Sequence, residues 1–198
     1  MLVTKKAPDF TATAVLGDNT IVDDFNLYEN FGEKGTVVFF YPLDFTFVCP
    51  SEIIAFNHRL DEFKSRGINV IGISIDSQFS HFAWKNTAVN EGGIGQVQFP
   101  LVADLTKDIS RSFDVLLDGG VALRGSFLID ADGTVRHAVI NDLPLGRNID
   151  EMIRMVDAML FTNEHGEVCA AGWHKGDEGM KADTEGVAQY LAKHEKDL

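Results

Sequence analysis

The stretch TVVFFYPLDFTFVCPSEIIAFNHRLDEF, residues Thr36 to Phe63, sets the plan of the chain, because a buried apolar run turns abruptly into a helix with a cysteine at the turn. Val37, Val38, Phe39 and Phe40 form a continuous β-branched and aromatic run, the pattern of a strand covered on both faces. Pro42 ends it. Pro50 then stands where only the first turn of a helix tolerates proline, and Ile53, Phe56, Leu60 and Phe63 recur at helical spacing on one face. Cys49 therefore caps or opens that helix. There, unpaired backbone N–H groups and the positive end of the helix dipole favour thiolate over thiol. Such a cysteine is either a small buried hydrophobe or a nucleophile, and the helix start favours the nucleophile. For any thiol, a pKa moved from about 8.5 to about 6 raises the thiolate population at pH 7 only about thirtyfold. A large acceleration therefore needs neighbouring groups that hold a substrate and stabilise developing charge. Thr46, three residues before the cysteine, offers a hydroxyl that both donates and accepts.

The 198 residues, 45% of them hydrophobic, suffice for one domain with a substantial core. With 17 basic and 30 acidic side chains the net charge is -13, which repels phosphate backbones and anionic lipid surfaces, so neither nucleic acid nor a membrane is an expected partner. No apolar run approaches the length of a membrane span, and Met1–Phe10 carries charge and a proline where a signal peptide needs an apolar core. A cytoplasmic protein is expected. The two cysteines, Cys49 and Cys169, are too few for a stapled secreted scaffold or an all-cysteine zinc site.

Outward from the central stretch, Ile68–Ile75 is a second β-branched run that directly follows the cysteine helix, which ends near Arg66-Gly67. Strand, helix, strand in this order predicts a parallel crossover and a sheet with helices on its faces. Upstream, Phe10–Leu16, the turn Gly17-Asp18-Asn19 and Thr20–Val22 predict an edge hairpin, with a short helix and loop over Asp23–Glu33. Downstream, Ser77 or Ser80 caps a helix bearing Phe79, Phe82, Ala83 and Trp84, and Gly92-Gly93-Ile94-Gly95 reads as a flexible connector and not as a dinucleotide fingerprint. Phe99–Ala103 is a short strand, Leu105–Phe113 a short helix, and Val121–Ile129 with Thr134–Ile140 a second hairpin closing the sheet. Asn148 and Glu151 have capping-box spacing for a helix with Ile149, Met152, Ile153, Val156 and Leu160 on its apolar stripe. From Thr162 to Gly179 the chain becomes polar and glycine-rich, an extended arm holding Cys169, and Thr184–Lys193 predicts a last helix.

Arg124 falls inside the apolar run VALRGSFLI and needs a partner or an anion there, unless it lies at a strand end and reaches solvent. Beside Cys49 its guanidinium would stabilise a thiolate and donate to a substrate oxygen. Glu52, one turn into the cysteine helix, either orients that arginine or favours the helix dipole. Cys169, on its polar arm, is either idle or a second thiol able to form a disulfide with an oxidised first one. His165, Cys169 and His174 offer three ligand types without the spacing of a tight zinc pair, so no metal is expected.

The run FFYPLDFTFVCPSEI resembles the peroxidatic motif of the peroxiredoxins, and GEVCAAGW resembles the resolving-cysteine motif of their typical two-cysteine group, the alkyl hydroperoxide reductase C subgroup included. DLTKDISRSFDVL, ALRGSFLID and NDLPLGR extend the resemblance over nearly the whole chain. It implies an α/β, thioredoxin-like fold: a central mixed sheet flanked by helices, with an N-terminal hairpin and an extended C-terminal arm. Residues 1–161 would form the peroxidase domain and 162–198 the arm. The resemblance further implies that Cys49 attacks a hydroperoxide and becomes a sulfenic acid, that Thr46 and Arg124 bind the peroxide oxygens, and that Pro42 shields the site. Cys169 would resolve the sulfenic acid from the partner subunit as an intersubunit disulfide. The unit is then at least a homodimer, assembling to a decamer ring, without bound cofactor or metal, and recycled by thioredoxin or a dedicated flavoprotein disulfide reductase. A redox-regulated holdase is the alternative role. The usual Pro-Thr after the cysteine is Pro50-Ser51 here.

Overall fold

The computed structural model describes residues 1–197. Its strands are β1 (Thr11–Val15), β2 (Ile21–Asn26), β3 (Gly35–Phe40), β4 (Ile68–Ser74), β5 (Leu101–Ala103), β6 (Arg124–Asp130) and β7 (Val135–Asn141). The helices are α1 (Cys49–His58), α2 (Leu60–Ser65), α3 (Gln78–Lys85), α4 (Asp108–Ser112), α5 (Ile149–His165) and α6 (Thr184–His194). By internal contacts the chain forms two compact units, Met1–Ile149 and Asp150–Leu198.

The first unit holds one mixed sheet in the order β2-β1-β5-β4-β3-β6-β7. All six residues of β3 are buried, as an uninterrupted apolar run requires. β3 runs parallel to β4 and β4 to β5, whereas β6 and β1 join this parallel centre antiparallel and bring in the two edge hairpins. Strand alternation splits the core in two. Val38, Phe40, Ile71, Ile73, Phe127 and Ile129 pack on one face with Ile109 and Phe113 of the α4 region, and the Phe113 ring lies 5.1 Å from both Phe40 and Phe127. On the other face Phe39 stacks on Phe56 of α1 at 4.3 Å and meets Phe99 edge-on at 5.7 Å.

Local structure departs from the sequence reading in four places. Asp23 and Asp24 belong to β2 and not to a helix: together they oppose the single residue Thr13 between the pairs Ala12–Phe25 and Ala14–Val22, a bulge that leaves two consecutive carboxylates in solvent. The cysteine helix is two helices, interrupted at Arg59, whose φ of -98° and ψ of 4° lie off the helical values. α5 runs on to His165, so the polar segment read as extended from Thr162 starts with helix. The glycine loop after α3 is pinned: Trp84 Nε1 donates to Gly92 O at 2.9 Å, Ile94 N donates to Trp84 O at 3.3 Å, and Gln98 N donates to Asn57 Oδ1 of α1 at 2.8 Å.

Ser77 caps α3 by accepting from Ser80 N, but the helix faces differently from what its aromatics suggest. Trp84, His81 and Lys85 are buried, while Phe79 is 70% exposed and Phe82 41%. Lys85 Nζ donates to Leu16 O, and burial lowers its pKa to about 8, with Asp18 opposing. An unfolded lysine titrates near 10.4, so between about pH 8 and about pH 10.4 the folded chain binds fewer protons and its stability rises with pH. Below that window the full cost of burying the charge is present. Relative to wild type, Lys85→Met should lose this rise; urea denaturation midpoints of both proteins between pH 7 and 10.5 measure it, and parallel curves would exclude a buried ammonium.

Candidate active site

The segment from Tyr41 to Glu52 leaves β3, turns and enters α1, and its side chains converge on one sulfur. Cys49 is fully buried at the first position of α1, with Pro50 beside it in the first turn and no side-chain cap from Val48. Thr46 Oγ1 lies 3.0 Å from Cys49 Sγ and 2.8 Å from Leu43 O. A hydroxyl has one proton for two acceptors. With a thiol, Thr46 donates to Leu43 and accepts from sulfur; with a thiolate, it can turn its proton onto sulfur. Arg124 Nη1 lies 3.4 Å from the same sulfur and 2.7 Å from Glu52 Oε2, and Arg124 Nε donates to Leu143 O at 2.7 Å. Arg124 opens β6 with its side chain 4% exposed, so the solvent-reaching alternative does not hold. Pro42 is buried between β3 and this loop.

Glu52 is the joint of the cluster. Its Oε1 accepts from Arg147 N at 3.0 Å and Nε at 2.9 Å, and its Oε2 accepts from Arg147 Nη2 at 2.9 Å. Arg147 Nη1 also donates to Phe40 O, Gly125 O and Ser126 Oγ at 2.7, 2.8 and 3.2 Å, and its guanidinium lies 5.1 Å over the Phe39 ring. Burial pulls the Arg147 guanidinium below its ordinary pKa, and Glu52 opposes that. Two buried guanidiniums paired with one carboxylate leave one positive charge next to the Cys49 sulfur. Arg147 was not singled out from sequence as a site residue. It follows a glycine in a polar loop and has no periodicity to mark it; its one signal in the sequence is that it closes the NDLPLGR run.

The start of the loop is fixed by a second buried group that sequence reasoning also missed. Asp44 Oδ1 accepts from Tyr41 OH at 2.9 Å, its Oδ2 lies 2.8 Å from His81 Nδ1, and His81 Nε2 lies 3.2 Å from Val102 O. Asp44 N donates to Asp76 Oδ2, which also accepts from Ser74 Oγ; burial, then the Asp44 charge, raises the Asp76 carboxyl above its ordinary pKa.

In the second unit Cys169 is partly buried, its Sγ 3.7 Å from Ala158 O. Burial raises this thiol above its ordinary pKa and Arg154 opposes. His165 and His174 are exposed, and no group of three or more His, Cys, Asp or Glu suited to a metal occurs among the described residues.

A buried thiol at a helix start, flanked by a hydroxyl and a guanidinium in a sheet of this order, defines a thiol-dependent redox enzyme. Residues 3–138 match the model of the AhpC/TSA family, and residues 158–193 match the model described as the C-terminal domain of 1-Cys peroxiredoxin, within which this chain carries Cys169. Alkyl hydroperoxide reductase C of Helicobacter pylori is 64% identical over 98% of both chains, and peroxiredoxin-2 of Mus musculus 50% identical over 96% of this chain and 95% of its own. The crystal structure of reduced Plasmodium vivax 2-Cys peroxiredoxin superposes with a TM-score of 0.94 at 47% identity, covering 97% of this chain and 99% of that one. The chain belongs to the AhpC/TSA family of peroxiredoxins and is a thiol peroxidase with a thioredoxin-like fold.

Removing Arg147 leaves Glu52 buried with one partner and frees Arg124 from a fixed carboxylate. Arg147→Met should therefore lower the unfolding free energy by about 3–5 kcal/mol. It should also reduce kcat/KM for peroxide at least about tenfold, since Arg124 loses its orientation. Denaturant titration and stopped-flow peroxide kinetics read the two effects, and unchanged values would deny Arg147 a place in the cluster.

Proposed function

We propose that Cys49 is the peroxidatic thiol of an enzyme that reduces hydrogen peroxide and small organic hydroperoxides. The observation that carries this is the buried Cys49 sulfur set between Thr46 Oγ1 at 3.0 Å and Arg124 Nη1 at 3.4 Å. The thiolate attacks the terminal peroxide oxygen, the S–O bond forms as the O–O bond breaks, and the departing oxygen takes a proton to leave as water or alcohol. Arg124 and Thr46 hold the peroxide oxygens and stabilise the charge growing on the leaving oxygen. Glu52 orients Arg124, and Pro42 covers the site. Residues 1–161 carry this chemistry.

The arm, 162–198, supplies Cys169 from the partner subunit to the Cys49 sulfenic acid, and thioredoxin or a dedicated flavoprotein reductase in the cytoplasm restores both thiols. A pocket that encloses one thiol also excludes a second, so the start of α1 unwinds in each turnover. The decisive experiment is non-reducing electrophoresis after one equivalent of hydrogen peroxide. Wild type should shift to a covalent dimer, and Cys49→Ser and Cys169→Ser should not. Loss of free thiols without dimer would refute the intersubunit disulfide.

Two surfaces support assembly of copies into dimers and a decamer ring. β7 is a sheet edge with exposed Val139 and Ile140. Phe45, Phe47, Phe79 and Phe82 are exposed, Phe79 and Phe82 three residues apart on α3 and the Phe45 ring 5.6 Å from that of Trp84. The same side chains give the holdase alternative its apolar surface. Phe79→Asp should convert rings to dimers in sedimentation velocity while keeping peroxide-dependent disulfide formation; an undisturbed ring would take this face out of the assembly.

A further inference from the structure

The proposed mechanism gives Cys169 a task without saying what prepares it. Cys169 Sγ sits 3.7 Å from Ala158 O, and Ala158 is one helical turn beyond Arg154 on α5. The Arg154 guanidinium has three partners. Glu151 takes Nε at 2.6 Å and Nη2 at 2.7 Å, Trp173 O accepts from Nη1 at 2.8 Å, and Met155 Sδ lies 3.2 Å from Nη2. Trp173, four residues past the cysteine, is buried, with its ring 4.8 Å from Phe161 and its indole N–H on Asp177 O at 3.2 Å. One guanidinium thus closes the loop carrying Cys169 onto α5 through Trp173, and its charge opposes the rise that burial imposes on the thiol pKa. The other ionisable groups on α5 are Asp150, Glu151, which is bound to the guanidinium, Asp157, Glu164 and His165, and those on the arm before α6 are Glu167, His174, Lys175, Asp177, Glu178, Lys181 and Asp183.

We propose that Arg154 is the positioning residue of the resolving thiol: it fixes the Cys169 loop on α5 and supplies the positive charge that favours the attacking thiolate. This rests on the reading of Cys169 as the resolving cysteine. In that step Cys169 thiolate attacks the sulfenic sulfur of Cys49, the S–S bond forms, the S–O bond breaks, and hydroxide leaves to combine with the proton given up by the Cys169 thiol. Cys169 sulfur is oxidised and Cys49 sulfur reduced. In the resting structure the partly buried thiol lies against Ala158 O, an arrangement suited to the protonated form. Arg154 acts against it.

The test isolates Cys169 in a Cys49→Ser background and follows its reaction with 4,4′-dithiodipyridine from pH 6 to 10 by stopped flow. Arg154→Met should move the pH profile upward and slow the reaction at pH 7 about threefold, whereas Arg154→Lys should hold the profile near that of the parent. Raising salt should move the profile of the unmutated Arg154 protein the same way as the Met variant, a measurement that needs no substitution at this position. In the two-cysteine protein Arg154→Met should slow disulfide formation by the same factor and leave the first reaction of Cys49 with peroxide unchanged. A profile indifferent to both salt and Arg154→Met overturns the proposal. A profile that moves in a protein whose wild type forms no Cys49–Cys169 disulfide overturns the resolving reading on which it rests.

Discussion

The buried carboxylate of Glu52 is the constraint on which the first unit depends. Its two oxygens take hydrogen bonds from two guanidiniums that arrive from different parts of the chain, Arg124 from the start of β6 and Arg147 from the loop before α5. Charged groups out of water are tolerated only when paired and fully bonded, and here the geometry is bidentate on one side and shared on the other. Arg147 reaches past Glu52 to the carbonyls of Phe40 and Gly125, so the same fork that neutralises the carboxylate also fastens α1 to the ends of β3 and β6. Position and charge are thereby set by one network. Arg124 meets the sulfur and Glu52 through the same Nη1, so its place beside Cys49 is tied to the carboxylate.

That rigidity stops at Glu52. Upstream, Asp44 is tied to Tyr41, His81 and Asp76, so the loop is also anchored at its beginning. Between these two fixed points the chain is held much less. Phe45 has a φ of 53°, unusual for a bulky side chain, Phe47 is 96% exposed, and Val48 gives α1 no side-chain cap. In the proposed cycle, unwinding Cys49–Ser51 gives up the contacts of Thr46 and Arg124 with the sulfur and those of Ser51 with Val48 O, whereas unwinding through Glu52 would also strand a carboxylate between two cations. In that cycle the Glu52 pairing would keep the Arg124 guanidinium in place while the residues that carry the sulfur unwind.

Much of this was legible in the sequence, for identifiable reasons. The buried strand, the proline-marked helix start and the arginine in an apolar run each break or fulfil a local pattern, and patterns survive in one dimension. Arg147, Asp44 and His81 break none. Their roles come from contacts across 95 residues, in the case of Arg147 and Glu52, and 37 residues, in that of His81 and Asp44. No local propensity encodes such a meeting. The bulge in β2 was hidden for a different reason: two adjacent aspartates spoil the alternation by which a strand is recognised, and only the opposing Thr13 shows how the ladder absorbs them.

α3 shows how function can invert the usual rule. Its interior positions include a histidine and a lysine, and its two phenylalanines face outward. Each buried polar group has found a partner, His81 in Asp44 and Lys85 in Leu16 O, but neither gains what two buried phenylalanines would. A buried aromatic side chain contributes roughly 1.5–3 kcal/mol over an exposed one. Leaving two of them in water while enclosing a lysine makes no sense for an isolated chain. It makes sense if the outer face of α3 is covered by another copy, for then the phenylalanines are buried on assembly while His81 holds the loop that begins the active site. The helix would then join the two events physically, since Trp84 lies in contact with Phe45 of the catalytic loop on one side and in the same helix as Phe79 and Phe82 on the other.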